Sequence, residues 1–236
     1  IYKMIFLPGT DQQVKFLLNT TEIGNKHVLI IGSGTGEIAQ KLLLAEPSGI
    51  TIIVEDYDSL ITMRYRLENS GEKRVQIRMM DFDNTDFRDN TFDIIYVQAA
   101  ASVSKRNKII KEIKKILKPG GIFCAGEIIK VIENPPAFII DIWNTSDLQP
   151  LTPDALDKYY IEKGFEIIDK KDLSFTLKDF YLQGEKMLFK GTPELSDEEK
   201  SYYKKLLRKI SHESNAYLKL GGNEYMGFTA LIMRKQ

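Results

Sequence analysis

The stretch Val28–Leu43, VLIIGSGTGEIAQKLL, decides how the rest of the chain is read. Val28 to Ile31 are β-branched or long apolar residues in an unbroken run, the signature of a strand buried on both faces. Gly32, Gly34 and Gly36 follow at alternate positions, with Ser33 and Thr35 between them. A helical pattern then begins, with Ile38, Leu42 and Ala45 on one side. Strand, glycine turn and helix together make a cradle. Glycines let backbone approach a ligand with no Cβ in the way, and a helix N-terminus offers unpaired N–H groups.

The spacing narrows the ligand. A dinucleotide-binding turn needs G-x-G-x-x-G, with its third glycine near the pyrophosphate. Here Glu37 stands at that position, a poor neighbour for phosphates and a suitable one for a ligand carrying cationic groups. No Gly-Lys-Ser/Thr follows, which excludes a P-loop. The turn resembles the first motif, E/D-x-G-x-G-x-G, of the class I S-adenosylmethionine-dependent methyltransferases. This chain departs from it at Ile30, where the family has an acid that helps hold the cofactor's amino group. The resemblance implies a doubly wound, mostly parallel seven-stranded sheet, Rossmann-like with the last strand antiparallel, and S-adenosyl-L-methionine as cofactor.

Downstream residues extend the likeness. A second strand, Ile50 to Val54, ends in Glu55-Asp56-Tyr57-Asp58, and a helix follows from Ser59 to Asn69. One carboxylate accepts from both hydroxyls of a ribose, and Glu55 lies about 20 residues past the glycine turn, the spacing a β-α-β unit requires. Asp56 competes for that role; Glu55 is preferred because Leu60 and Ile61 follow it at the family's helix positions. Asp58 is expected to cap the helix. The third strand, Val75 to Met79, leads to Asp81-Phe82. The resemblance implies that Asp81 accepts the adenine amino group while Phe82 lines the ring, with Tyr57 over its other face. Phe82 and Phe87 also fit an ordinary core.

A fourth strand, Phe92 to Val97, enters through Phe92-Asp93, where Asp93 is expected to be structural. It exits at Gln98-Ala99-Ala100, at the sheet edge where α/β folds bind ligands. No Pro-Pro-aromatic follows, which argues against methylation of DNA-base amines. The helix Lys105–Lys118 reads as amphipathic, its lysines on a solvated face. "LKPGG" (Leu117–Gly121) then stops the helix before strand five, Ile122 to Ala125, again as in the family. Glu127 is expected just beyond that strand's end, beside the acceptor. Asn134-Pro135-Pro136 follows the wrong strand and reads as a loop launching a helix from Ala137 to Trp143. Thr152-Pro153-Asp154 starts another helix, which Gly164 ends. Strand six is Phe165 to Asp169 and the last is Tyr225 to Met233. Tyr225-Met226-Gly227-Phe228 and Arg234-Lys235 resemble the tail of small-molecule enzymes.

Residues 174–222 form an insertion before the last strand, rich in aromatics (Phe175, Phe180, Tyr181, Phe189, Tyr202, Tyr203, Tyr217) and carrying His212. Its second half opens with Ser196-Asp197-Glu198-Glu199 as a capped helix. So long an insertion in one domain reads as a lid over the acceptor or as a layer covering the sheet. At the other end, residues 1–10 are apolar and end in Pro-Gly, and Asp11 to Leu18 reads as a helix. That segment is either part of a lid or a packing element. His27, just before the first strand, is expected to be structural.

Composition excludes other classes. The 236 residues fit one domain, 1–236, with room for the insertion. Lys+Arg and Asp+Glu are equal at 33 each, so no bulk field draws the protein to nucleic acid or an anionic membrane. The lone Cys124 forms no internal disulfide and suits a reducing, cytoplasmic address. No apolar run has membrane-spanning length and no signal peptide opens the chain. Ile1 is no start methionine, so leading residues are expected before it. No metal site is expected. The reading is a methyltransferase acting on a small-molecule acceptor by in-line displacement in a lidded pocket. His212, Glu127 and Tyr225 are the candidate bases. The cofactor contacts are assigned to Gly32, Ser33, Gly34, Gly36, Glu55, Asp56, Tyr57, Asp81, Phe82 and Gln98. The alternatives are a nucleic-acid or protein methyltransferase and a catalytically inactive partner protein.

Overall fold

In the computed structural model, which describes residues 5–68, 72–190 and 197–236, seven strands form one sheet. They are β1 (His27–Ile31), β2 (Gly49–Val54), β3 (Val75–Met79), β4 (Phe92–Gln98), β5 (Leu117–Lys130), β6 (Phe165–Asp172) and β7 (Met226–Lys235). Their order is β3-β2-β1-β4-β5-β7-β6. β7 is antiparallel to both its neighbours and the other pairings are parallel. The doubly wound order reverses between β1 and β4, so the crevice above their C-terminal ends is where such a fold takes its ligand.

The helices are α1 (Thr10–Thr20), α2 (Gly36–Leu43), α3 (Tyr57–Glu68), α4 (Arg106–Ile116), α5 (Ala137–Thr145), α6 (Pro153–Glu162), α7 (Thr176–Lys190) and α8 (Asp197–Lys219). Alternation along the strands divides the core. Val28, Ile30, Ile94 and Tyr96 face α1, α2, α3, α5, α7 and α8, while Leu29, Ile31, Ile95 and Val97 face α4 and α6. With all four apolar residues of β1 at 1 % exposure or less, each contributes about 1.5–3 kcal/mol of burial. The continuous apolar run thus reports a central strand covered on both sides.

Two elements differ from expectation. β5 begins at Leu117 and bulges through Pro-Gly-Gly, its pairing with β4 jumping from Phe92↔Leu117 to Ile94↔Ile122. It also runs on to Lys130, because nine residues from Ile122 to Lys130 pair with β7. Glu127 therefore lies inside a strand and not past its end. The second difference is the α3 cap. Asp56 Oδ1 accepts the Ser59 N–H at 2.9 Å and Asp56 Oδ2 accepts the Ser59 hydroxyl at 2.6 Å, so Asp56 and not Asp58 caps the helix.

The insertion is two helices, α7 and α8, on the α1/α3/α5 side. An aromatic series knits it to the N-terminal segment: Phe6 to Phe180 at 5.0 Å, Phe180 to Tyr181 at 5.0 Å and Tyr181 to Tyr217 at 4.9 Å between centroids. The Tyr181 hydroxyl donates to Glu213 at 3.1 Å. Gly184 allows the close approach, since a Cβ there would meet Ile210 at 3.1 Å. Ser196 and the side chains of Phe189, Tyr202 and Tyr203 lie outside the described residues.

Candidate cofactor and acceptor site

The glycine turn is closed by its own chain. Gly32 has φ +128° and Gly34 has φ +72°, values that side chains rarely adopt. The Gly32 N–H donates to Ile53 O at 3.1 Å, and the Thr35 hydroxyl turns back to Gly32 O at 2.9 Å. Because that hydroxyl is spent on the turn, it makes no capping bond to α2, which starts at Gly36. Gly36 is buried, yet no atom lies within 4 Å of where its Cβ would be. A sheltered hollow beside a helix N-terminus fits a ligand that needs backbone contact.

At the tip of β2 the two acids part company. Asp56 is committed to Ser59, and the Ser33 hydroxyl also donates to it at 3.4 Å, tying the glycine loop to α3. Glu55 is exposed, and its Oε1 accepts the Phe82 N–H at 3.1 Å, joining the tips of β2 and β3. Its Oε2 has no hydrogen-bond partner among the described residues. Tyr57 is 65 % exposed beside it. Asp81 is exposed, whereas the Phe82 ring is packed with the α4-side core, so the ring serves the core and only its backbone reaches the crevice. Sequence reasoning overlooked Lys105. Its ammonium lies 3.5 Å from Asp83 and in the field of Glu55 and Asp81, and Asp83 foremost raises its pKa. The signal was present in a lysine opening a helix directly opposite three acids.

Gln98 was assigned to the cofactor, but its side chain is spent elsewhere. It accepts from the Tyr96 hydroxyl at 2.6 Å and donates to Pro8 O at 2.7 Å and Thr10 O at 3.0 Å. Gln13 adds a bond to Val97 O at 2.8 Å, and Gly9 N–H donates to Thr176 at 3.1 Å. A Cβ on Gly9 would sit 2.4 Å from the Phe228 ring. The N-terminal segment is thus strapped across the end of β4 and anchored to the insertion. Ala99, next in the chain, has φ +58°, a left-handed conformation costly to a residue with a Cβ. Ala100 follows and packs against Gly32, whose Cβ would lie 3.4 Å from it.

Two of the three candidate bases are withdrawn. Glu127 is fully buried on the α4/α6 face. Its Oε2 accepts from Ser102 at 2.5 Å and from Arg106 at 3.1 Å, and its Oε1 accepts from Tyr160 at 2.5 Å. With three protein donors on its two oxygens and no exposure to the crevice, this carboxylate is out of reach of an acceptor. Burial and the neighbouring Glu127 push the Tyr160 phenol well above its usual range. His212 is exposed on α8, whose inner face is Leu207, Ile210, Ser214 and Tyr217; two residues from both Ile210 and Ser214, it points outward. Tyr225 remains, half-buried at the start of β7, its ring edge-on to Phe138 at 6.5 Å. His27 is at the far end of β1, 4.7 Å from the Phe92 ring, where burial lowers its pKa.

A groove of about 560 Å³ on the outside of α4 is lined by six lysines, among them Lys108 and Lys111. Lys114 donates to Lys163 O, Lys115 to Glu112, and Lys235 to Asn90 and Leu117 O. Half its cations are therefore spent within the fold, as a solvated helix face requires. Among the described residues no helix is long and apolar enough to cross a membrane, and no cluster of His, Cys, Asp and Glu is placed to hold a metal.

Comparison with known proteins points to one kind of domain. Residues 29–125 match a family model described as a methyltransferase domain. The ubiquinone/menaquinone biosynthesis C-methyltransferase UbiE of Pasteurella multocida is 25 % identical over 187 residues, 68 % of this chain and 70 % of that protein. The sterol 24-C-methyltransferase ERG6 of Saccharomyces cerevisiae is 29 % identical over 159 residues, 62 % of this chain but only 41 % of that protein. Among solved structures, the [4+2]-cyclase SpnF superposes with a TM-score of 0.76 at 22 % identity, covering 95 % of this chain and 80 % of that one. A phosphoethanolamine N-methyltransferase of Haemonchus contortus bound to S-adenosyl-L-methionine gives 0.76 at 15 % identity, over 95 % and 52 %. These two show the fold. Residues 29–125 thus match a methyltransferase domain, and the chain as a whole is similar to class I S-adenosylmethionine-dependent methyltransferases. Both curated relatives are named as C-methyltransferases.

Proposed function

We propose that the acceptor is a small apolar molecule, taken between α5 and the α7–α8 lid and methylated above the ends of β1 and β4. The observation that carries this is α5 itself. Its sequence AFIIDIWNT is mostly apolar, the polar residues being Asp141, Asn144 and Thr145, with Ile139 and Trp143 in the core and Phe138 and Ile140 37 % and 43 % exposed. Val131 and Ile132, in the loop leading to it, are 50 % and 43 % exposed. Contiguous exposed apolar side chains of this size mark a binding surface, and Tyr225 stands among them. Relatives named for quinone biosynthesis and for sterols support the same class.

The bound cofactor supplies an electrophilic methyl group on a sulfonium. The chain's own residues do the rest. The Gly32–Gly36 turn and the α2 N-terminus hold its backbone-facing part, Glu55 Oε2 takes the ribose, and Asp81 with Tyr57 borders the base. The N-terminal strap and the α7–α8 lid exclude water, which in-line displacement needs more than it needs a strong base. Tyr225 is placed to orient the acceptor. The buried Cys124 thiol, pushed up to about 12 by burial, is inert and consistent with a reducing cytoplasmic address.

The test offers the purified chain methyl-labelled S-adenosylmethionine with quinols, a sterol, phosphoethanolamine and single-stranded RNA in parallel. Label is expected in the organic-extractable fraction, falling about tenfold in Phe138→Asp with S-adenosylhomocysteine affinity unchanged. Label confined to the amine or the RNA defeats the apolar reading.

A further inference from the structure

β5 outruns β4. The last paired residues are Gln98 and Gly126, so Glu127 to Lys130 have β7 on one edge and no β4 strand on the other. Backbone groups left on such an edge need partners. The turn after β4 supplies them. Ala99 N–H donates to Gly126 O at 2.9 Å, and Ile128 N–H donates to the Ser102 hydroxyl at 2.9 Å. Further on, Lys130 N–H donates to Leu151 O at 3.1 Å, and Gln149 N–H donates to Ser102 O at 2.9 Å. To fold back against β5 in this way the chain passes through the left-handed conformation at Ala99, which Ala tolerates poorly.

The same turn forms one wall of the cradle, because Ala100 packs on Gly32. Besides these backbone bonds, one carboxylate ties the turn to the buried face of the sheet. The Ser102 hydroxyl accepts from Ile128 and passes its own proton bond to Glu127, which Arg106 from α4 and Tyr160 from α6 grip from behind. Arg106 is 7 % exposed and Glu127 0 %, so the charge pair has no solvent alternative.

We propose that Glu127 is a positioning residue for the cofactor: through Ser102 it fixes the 99–102 turn against the glycine turn, and cofactor affinity depends on that bond. It touches no reactant. This rests on reading the glycine turn as the cofactor site. It explains why a strand beside the crevice carries a buried acid facing away from it.

Two substitutions separate positioning from mere stability. Ser102→Ala and Tyr160→Phe each remove one hydrogen bond to Glu127, but only Ser102 belongs to the cradle wall. Titrating the full chain with S-adenosylhomocysteine by calorimetry should show at least a fivefold weaker Kd for Ser102→Ala. Tyr160→Phe should stay within twofold at a comparable loss of Tm, and Ser102→Thr should restore affinity. Equal effects of the two, or none from Ser102→Ala, overturn the proposal. If Ser102→Ala does not fold, Ser102→Cys, similar in shape and a weak donor, makes the same comparison. A wild-type chain that fails to bind would overturn the cradle reading first and this inference with it.

Discussion

The two halves of the sheet treat their acids in opposite ways. On the β1–β3 side the strands stop level with one another, and their acids, Glu55 and Asp81, are exposed at the tips. On the β5–β7 side the strands run on past β4, and the acid there, Glu127, is sealed between α4 and α6 with an arginine. An exposed carboxylate keeps lone pairs for a ligand. A buried one is tolerated only when protein donors occupy them. The contrast teaches that burial commits an acid to the scaffold, whereas exposure only leaves it available: Glu55 and Asp81 keep oxygens for a ligand, while Asp56, also exposed, is spent on the α3 cap.

The sharpest way to break this contrast is Glu127→Ala. Removing one member of a buried ion pair leaves Arg106 uncompensated and should destabilise the fold by about 3–5 kcal/mol. Urea unfolding measures it; a loss below about 1 kcal/mol would mean that Arg106 finds water and that the two halves are not so different.

Next in size is the opposite acid. Glu55→Ala should weaken S-adenosylhomocysteine by about 1.5–3 kcal/mol, the worth of a charged hydrogen bond, while leaving Tm nearly unchanged. Asp56→Ala should do the reverse, lowering stability by about 1 kcal/mol through the lost α3 cap. Calorimetry and thermal melts on both variants decide it; a binding loss confined to Asp56→Ala would move the ribose contact by one residue.

Gly36 gives a smaller test of the same half. Its Cβ would meet nothing within 4 Å, so Gly36→Ala should fold normally. It should nonetheless lower cofactor affinity about tenfold, or ~1.4 kcal/mol, since the methyl enters the hollow. Unchanged affinity would show that the ligand does not come this close to α2.

The level half was legible in the sequence and the overrunning half was not, for physical reasons. β1, its glycine turn and the acid after β2 are local patterns fixed by period, φ and spacing. The extent of β5 was settled by its pairing with β7, about a hundred residues later in the chain, and no local pattern announces that. Glu127 consequently read as a residue past a strand end, and Gln98 as a ligand contact when Pro8 and Thr10 were waiting for its amide. Asp56 and Asp58 are both good caps by type; only the backbone trajectory after Val54 chose between them. His212 was singled out for its chemistry, and the period of α8 turns it outward.

The last prediction concerns the far edge of the sheet, which should be indifferent to the ligand. Asp93 at the entry to β4 accepts from Lys118 at 2.7 Å and from the His27 N–H at 2.9 Å. Burial alone would raise its pKa, but these donors outweigh it and hold the carboxyl below the usual range. A depressed folded-state pKa means stability that is fully present above the unfolded value, near pH 4, and lost as pH falls through the folded value. Lys118 is 43 % exposed, which limits the contribution to about 1 kcal/mol or less. Asp93→Asn should therefore be less stable than the parent at pH 7, the gap closing as pH drops below 4. Affinity for S-adenosylhomocysteine should be the same for both at pH 7. A gap that widened in acid, or a change in affinity, would show that the entry edge communicates with the crevice.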